Sequence, residues 1–222
     1  MKKRCAQYAL DYIKPHSIIG LGGGSTIAYL VEMIQAKQLD VTIVTPSVTT
    51  AKLCQAAELT VVPMNQVDHV TVAFDGCDEV DGQLNALKSG GGIHTKEKII
   101  ATMADDYILL VDESKVSDTL SFKVPLVLEV LPQALAKVKA DVLRLGYQVT
   151  ARMSATSDGY TYTENGNLLL EVTIDSGTCE AIAQQFSAIV GIVETSLFYQ
   201  IATKAIVVTT EGKRIIERSQ TK

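Results

Sequence analysis

The sequence predicts an α/β protein: a doubly wound, mostly parallel sheet carrying an inserted, smaller ferredoxin-like α+β second domain. Three patterns predict it. Short runs rich in Val, Ile and Leu alternate with amphipathic stretches through residue 112, as buried parallel strands covered on both faces do. Glycine-rich turns follow strand-like runs and open helices. After Pro125 the order changes to strand, helix, two strands, helix, strand, the ferredoxin-like succession.

Taken in order, an amphipathic helix is expected over 3–13 and a strand over 17–21. The helix expected over 26–38 places Ile27, Leu30, Val31 and Ile34 at i, i+3, i+4 and i+7, which makes one buried face. Strands at 41–45, 60–62, 70–74 and 107–111 alternate with helices at 49–58 and 95–104. In the second part a strand at 127–131 precedes a helix that starts at Pro132, a residue suited to the first helical position, and runs to Leu145-Gly146. Strands at 148–152, 160–163 and 168–174 come next, with Asn165-Gly166 as the strongest hairpin signal. A helix over 179–189, a strand over 193–198 and a last hairpin (205–210 with 214–216, turning at Glu211-Gly212) complete the chain. The expected division is 1–126 plus 199–222 for the α/β domain and 127–198 for the second domain, with no internal repeat.

The composition is that of a globular chain: 222 residues, 47% hydrophobic and 20% charged. A net charge of -5 argues against nucleic-acid and anionic-membrane partners, which require a basic face. A small phosphorylated ligand needs only a local pocket of N–H groups and a lysine or two. No run of 18 apolar residues is present, so no membrane span is expected. Met1-Lys2-Lys3-Arg4 begins as a signal peptide does, but Gln7 and Asp11 interrupt the stretch after it, so no apolar leader forms. Cys5, Cys54, Cys77 and Cys179 are scattered, which argues against disulfides and zinc and for a cytoplasmic setting.

The chemistry-bearing residues gather at strand ends. Gly20-Leu21-Gly22-Gly23-Gly24-Ser25-Thr26 follows a strand and opens a helix, so free N–H groups and two hydroxyls suit a phosphate or carboxylate. No lysine follows the last glycine, which excludes a Walker A loop. Asp40 precedes the second strand instead of ending it, which argues against a dinucleotide cofactor. A plain tight turn is the alternative. The loop Pro46-Ser47-Val48-Thr49-Thr50 reads alone as an N-cap, yet it would reach the same crevice.

Asp75-Gly76-Cys77-Asp78-Glu79 follows an apolar strand, and its spacing does not fit an EF-hand; no metal is expected. Glu79 and Asp81 read as a solvated acidic turn, whereas Asp75 directly ends the strand. Lys88 and Glu97 flank the turn Ser89-Gly90-Gly91-Gly92, as a general base beside an oxyanion-stabilising turn would. Glu97 can also be read as offsetting a helix dipole. Lys96 and Lys98 read as solvated, His94 as titrating near neutral pH, and Cys77 as a small buried filler. Lys115, in Asp112-Glu113-Ser114-Lys115, is either on an exposed loop or meets an anion in the crevice.

Together these segments resemble type A ribose-5-phosphate isomerases, almost from end to end. Residues 22–26 match the family's Gly-Thr-Gly-Ser-Thr segment, and residues 75–98 match its Asp-Gly-Ala-Asp-Glu, Lys-Gly-Gly-Gly and Arg-Glu-Lys segments in order. Asp112 to Lys115, Leu128-Glu129-Val130-Leu131-Pro132 and Asn165-Gly166-Asn167 match further on. Gly23 replaces a threonine, Ser89 a glycine, Lys96 an arginine and Pro46 a hydroxyl residue, and Ile93-His94 replaces small or aliphatic residues. The resemblance implies an aldose–ketose isomerase without cofactor or metal, interconverting ribose 5-phosphate and ribulose 5-phosphate, usually as a homodimer or homotetramer. It implies Glu97 as the base that moves a proton between C2 and C1, and Asp75 as the group handling hydroxyl protons with Asp78 assisting. Lys88 and the N–H groups of Ser89, Gly90 and Gly91 would stabilise the oxyanion. Gly23, Gly24, Ser25, Thr26, Gly76, Cys77 and Lys115 would line the substrate site. Two alternatives stay open: an isomerase of another sugar phosphate, and a sugar-phosphate sensor that binds without turnover.

Overall fold

The computed structural model describes residues 1–218; residues 219–222, the end of the 199–222 segment assigned to the α/β domain, lie outside the described residues. The first part of the chain runs α1 (Lys2–Ala9), β1 (Ser17–Leu21), α2 (Ser25–Ala36), β2 (Val41–Val44), α3 (Val48–Ala56), β3 (Thr60–Val61) and β4 (Val70–Asp75). It continues through β5 (Glu79–Asp81), β6 (Ala86–Leu87), α4 (His94–Met103), β7 (Ala104–Asp112) and β8 (Val116–Ser117). The second part comprises β9 (Leu126–Val130), α5 (Leu135–Arg144), β10 (Gln148–Ala151), β11 (Leu168–Thr173), α6 (Cys179–Ser187) and β12 (Ile192–Thr195). β13 (Leu197–Phe198), β14 (Lys204–Val208) and β15 (Lys213–Glu217) bring the chain back.

The main sheet has seven strands in the order β15-β14-β7-β4-β1-β2-β3, all parallel except the β14–β15 hairpin at its edge. Residue alternation explains its burial on both faces. Ile19, Leu21, Val72, Phe74, Ile108 and Leu110 pack on one face against α1, α2 and α3. Ala73, Tyr107, Leu109 and Val111 pack on the other against Ile100 and Ala101 of α4. The predicted α2 face is buried as read: Ile27, Leu30, Val31 and Ile34 all lie in the first core. Chain order runs outward in both directions from the β1–β4 pair, so the loops after β1 and β4 flank a topological switch point. Gly20 permits close packing there, because a Cβ would lie 2.6 Å from the Ile100 side chain and 2.7 Å from Ala73.

The second sheet, β10-β11-β9-β12, is antiparallel at every pairing and has the ferredoxin-like order. Val138 and Val142 of α5 and Ile182 and Phe186 of α6 close its core. Residues 160–163 do not form the expected strand: only isolated bridges, Met153 to Tyr160 and Tyr162 to Leu168, link this Ser/Thr/Gly-rich excursion to its neighbours. The strand expected over 193–198 breaks into β12 and β13, and the latter leaves for a third sheet, β13-β6-β5-β8. That sheet was not anticipated, since strands of two or three residues carry no readable period. Pro132 occupies a 3-10 turn (Pro132–Ala134) ahead of α5.

Candidate active site

A cleft of about 890 Å³ opens at the carboxyl ends of β1, β2, β4 and β7. At one end lies the start of α2. Gly24 holds φ +93° as its N-cap, and no side chain caps the helix. The first-turn N–H groups and the Ser25 and Thr26 hydroxyls therefore form an anion-accepting end with the positive pole of the helix dipole behind it. Lys2, which sequence reading missed, adds a positive charge here: its Nζ donates to Ser25 Oγ at 2.8 Å, and it lines the cleft. No sequence pattern marks it, because it reaches the site from α1, 23 residues away. Ser47 caps α3 by accepting from Thr50 N, and Pro46, Ser47 and Thr49 form part of the wall, as expected of a loop at the switch point.

At the other end three charged side chains meet in near-complete burial. Lys88 Nζ lies 3.0 Å from Asp75 Oδ2 and 3.3 Å from Glu97 Oε1, and donates to Gly76 O at 2.5 Å. Asp75 ends β4; its Oδ1 accepts from Gly76 N at 2.8 Å and Gly23 N at 3.4 Å, and its Oδ2 from Tyr107 Oη at 3.4 Å. Glu97 sits on the first turn of α4. Gly22 is required by this packing, since a Cβ there would lie 2.0 Å from Asp75 Cγ.

Burial, reinforced by the Asp75 charge and opposed by Lys88, raises the Glu97 carboxyl to about 8. Burial alone would lower the Lys88 ammonium, but Asp75 and Glu97 more than offset it and hold it above its usual value. The arrangement thus keeps a cation between two carboxylates, one of which can exchange a proton near neutral pH. Cys77 lies in the wall as a neutral thiol, pushed up to about 12 by burial.

The structure brings all but one of the expected site residues to this cleft. Gly23, Gly24, Ser25 and Thr26 form one end; Gly76, Cys77 and Asp78 the floor; Gly90, Gly91 and Lys115 the sides. Ser89 faces away: its amide donates to Asp78 Oδ2 at 2.7 Å and its hydroxyl to Pro125 O at 2.6 Å.

Four readings of neighbouring residues are corrected. Glu79 and Asp81 are buried, not solvated: Glu79 accepts from Ser117 and Ser121, and Asp81 from the Gln83 and Asn85 amides. Lys98 is buried, donating to Glu194 Oε1 and to the carbonyls of Thr195 and Leu197. Lys96 pairs with Glu164 and is partly covered. His94 does not titrate near neutrality, because burial pulls it down to about 4. Its Nε2 donates to Glu194 O at 3.3 Å, and its Nδ1 has no partner among the described residues. Glu129, missed as a site-supporting group, accepts from the Thr95 and Thr163 hydroxyls and Asn167 Nδ2, so two outlying motifs meet at the start of α4.

Known proteins share this chain's sequence and architecture along nearly its whole length. The family model described as ribose 5-phosphate isomerase A (phosphoriboisomerase A) matches residues 42–212. A second, a DeoR C terminal sensor domain, matches residues 1–64, a stretch that ends before Asp75. Ribose-5-phosphate isomerase A of Pyrococcus furiosus is 37% identical over 226 residues, covering 98% of both chains. That of Lactococcus lactis subsp. cremoris is 34% identical, covering 98% of this chain and 99% of its own. Ribose 5-phosphate isomerase A of Methanocaldococcus jannaschii superposes with a TM-score of 0.90 at 31% identity, covering 97% of each chain. A D-ribose-5-phosphate isomerase in complex with phospho-erythronic acid does so at 0.90 and 34% identity, covering 98% of this chain and 97% of its own. Matched across three quarters of its sequence by the family and along nearly all of it by these relatives, the chain belongs to the ribose 5-phosphate isomerase A family.

Proposed function

We propose that this chain is an aldose–ketose isomerase interconverting ribose 5-phosphate and ribulose 5-phosphate, with Glu97 as the base. The observation that carries the reading is the buried Asp75–Lys88–Glu97 cluster, with Lys88 3.0 Å and 3.3 Å from its two partners, facing an anion-accepting helix end across one cleft. The phosphate sits at the start of α2 with Lys2, Ser25 and Thr26, and Lys115 adds charge from the side. Asp75, with Asp78 beside it, takes the proton from the anomeric hydroxyl as the bond from C1 to the ring oxygen breaks, delivers a proton to that oxygen, and moves hydroxyl protons afterwards. Glu97 removes the C2 proton, giving a cis-ene-diolate, and returns it to C1. Lys88 and the amides of Gly90 and Gly91 stabilise the charge on oxygen; the Ser89 amide, engaged by Asp78, takes no part. A carboxyl raised to about 8 is matched to both halves of that transfer near neutral pH.

The wider setting belongs to the same proposal. Residues 1–126 plus 199–222 act as the catalytic domain and 127–198 as the second domain. The enzyme works in the cytoplasm; among the described residues no helix is long and apolar enough to cross a membrane. It assembles as a homodimer or homotetramer, a reading supported by Met153, Tyr160 and Tyr162, which are 44–57% exposed on one stretch of the small domain. Light scattering of the purified chain reads that state.

The test is conversion of ribose 5-phosphate by purified protein in EDTA. Turnover supports the reading. Binding of phospho-erythronic acid without turnover of ribose 5-phosphate or other pentose phosphates would favour a sensor, the reading to which the match over residues 1–64 lends weight.

A further inference from the structure

Arg152 follows β10 in the small domain, outside the cleft, and sequence reading gave it no role. Its side chain is only 18% exposed, and each of its three guanidinium nitrogens donates a hydrogen bond. Nη2 donates to Ser89 O at 2.7 Å, Nη1 to Gly90 O at 2.9 Å, and Nε to Glu171 Oε1 at 2.7 Å. Its backbone is fixed as well, with its N–H donating to Leu169 O at 2.8 Å and its carbonyl accepting from Thr161 N at 2.8 Å. One planar fork therefore grips two consecutive carbonyls of the turn after Lys88, and Glu171 sets the direction of the fork.

The planarity of the peptide bond gives this grip a consequence. The Ser89 carbonyl shares its peptide with the Gly90 N–H, and the Gly90 carbonyl shares its peptide with the Gly91 N–H. In a trans peptide the two groups point in opposite directions. Drawing both carbonyls toward Arg152 turns both N–H groups away from it. The cleft lies on that other side, since Gly90 and Gly91 line it and Arg152 does not. Three successive glycines would leave this turn free to rotate its peptides, so the orientation must come from outside it. Contact with the small sheet presses the turn into place: at Gly92, held at φ +69°, a Cβ would lie 2.7 Å from Leu169 Cδ1. A cation on the carbonyl side also polarises each peptide and strengthens its N–H as a donor.

We infer that Arg152 is a positioning residue, supplied by the small domain, that aims the Gly90 and Gly91 amides at the substrate oxygen on which negative charge develops. The inference rests on the isomerase reading for the identity of that oxygen. It gives the small domain a part in the chemistry of a cleft built almost wholly by the large sheet.

The experiment compares the full chain with Arg152→Gln and Arg152→Lys. It measures kcat and KM for ribose 5-phosphate, affinity for phospho-erythronic acid and for inorganic phosphate, and thermal unfolding. Losing the aim of two amides is expected to lower kcat by about 10²-fold in Arg152→Gln, while KM changes by less than about threefold. Affinity for phospho-erythronic acid, whose carboxylate meets the amides, should fall while that for inorganic phosphate holds. Arg152→Lys keeps the charge but not the fork, so it should fall between the two; if the glutamine variant does not fold, the lysine variant carries the same comparison. A folded variant with wild-type kcat overturns the inference. So does an equal loss of phosphate affinity and kcat, which a general loosening would produce. A wild-type protein without turnover would instead overturn the isomerase reading, and the two affinities would then judge Arg152 alone.

Discussion

Gly22→Ala adds one methyl group at the tightest point of the site, and the structure fixes where the strain must go. The new Cβ would lie 2.0 Å from Asp75 Cγ and 2.1 Å and 2.3 Å from its two oxygens. Gly22 cannot retreat easily, because its N–H donates to Phe74 O at 2.8 Å and its carbonyl accepts from Thr50 Oγ1 at 2.7 Å. The Asp75 carboxylate must therefore move by more than an ångström, roughly the displacement that costs about 10²-fold in rate when a reacting group is misplaced. That movement also takes Oδ2 out of its 3.0 Å contact with Lys88. Overpacking costs about 1–3 kcal/mol, and a disturbed buried ion pair adds to it. For a chain of this size each kcal/mol lowers Tm by about 2–4 °C, so a fall on the order of 10 °C is expected. The assay is kcat/KM for ribose 5-phosphate alongside thermal melts, with Gly212→Ala as the control, since a Cβ at Gly212 meets nothing within 4 Å. A Gly22→Ala protein that matched the control in both would refute the packing argument and the need for Asp75 at its observed place.

The same cluster sets other expectations. The kcat/KM of the wild type should rise with pH along an acid limb near 8, because the base must be ionised to act; a limb near the ordinary carboxylate value would contradict the burial argument. The folded-state value of Glu97 lies above its unfolded value of 4.5, so the folded protein binds more protons between 4.5 and about 8 and loses stability as pH rises through that window. Glu97→Gln should therefore be more stable than the wild type at pH 8.5 by up to about 5 kcal/mol and should lack that slope, as urea unfolding at several pH values would read. Parallel curves for the two proteins would argue against it. Lys98→Met removes the ammonium from Glu194 Oε1, which keeps only the Thr195 N–H, and from two carbonyls, and it unfastens α4 from the β12–β13 corner. It should cost about 3 kcal/mol in thermal or urea unfolding and reduce kcat through Glu97, which α4 carries.

Much of the fold is legible in the sequence because both faces of the main sheet are buried. Val, Ile and Leu runs at β1, β2, β4 and β7 then announce themselves without any partner being known. The hairpin β14–β15 is legible from its Glu211-Gly212 turn, and α2 from its one apolar face. What fails to show is structure decided at long range. β5, β6, β8 and β13 are too short to carry a period, and residues 160–163 have strand-like composition but only two isolated bridges to hold them.

The site divides in the same way. Asp75, Lys88 and Glu97 are readable because a strand end, a glycine turn and a helix start place them locally. Lys98 and Glu79 resemble ordinary surface charges until their partners are known, 96 to 99 and 38 to 42 residues away. Arg152 likewise acts on carbonyls 62 and 63 residues earlier. His94 has the composition of a titrating residue and the burial of a core one, and burial decides.

The most direct test of the central claim is to run the wild type and Glu97→Gln on ribose 5-phosphate in deuterium oxide with EDTA. The product is then examined for deuterium at C1. A proton carried by Glu97 through an ene-diolate predicts turnover by the wild type, with deuterium entering C1 in the fraction of turnovers in which the Glu97 proton exchanges with solvent before it is returned. It also predicts a folded variant that still binds phospho-erythronic acid yet is slower by about 10²- to 10⁴-fold. Wild-type turnover by the variant would contradict the account.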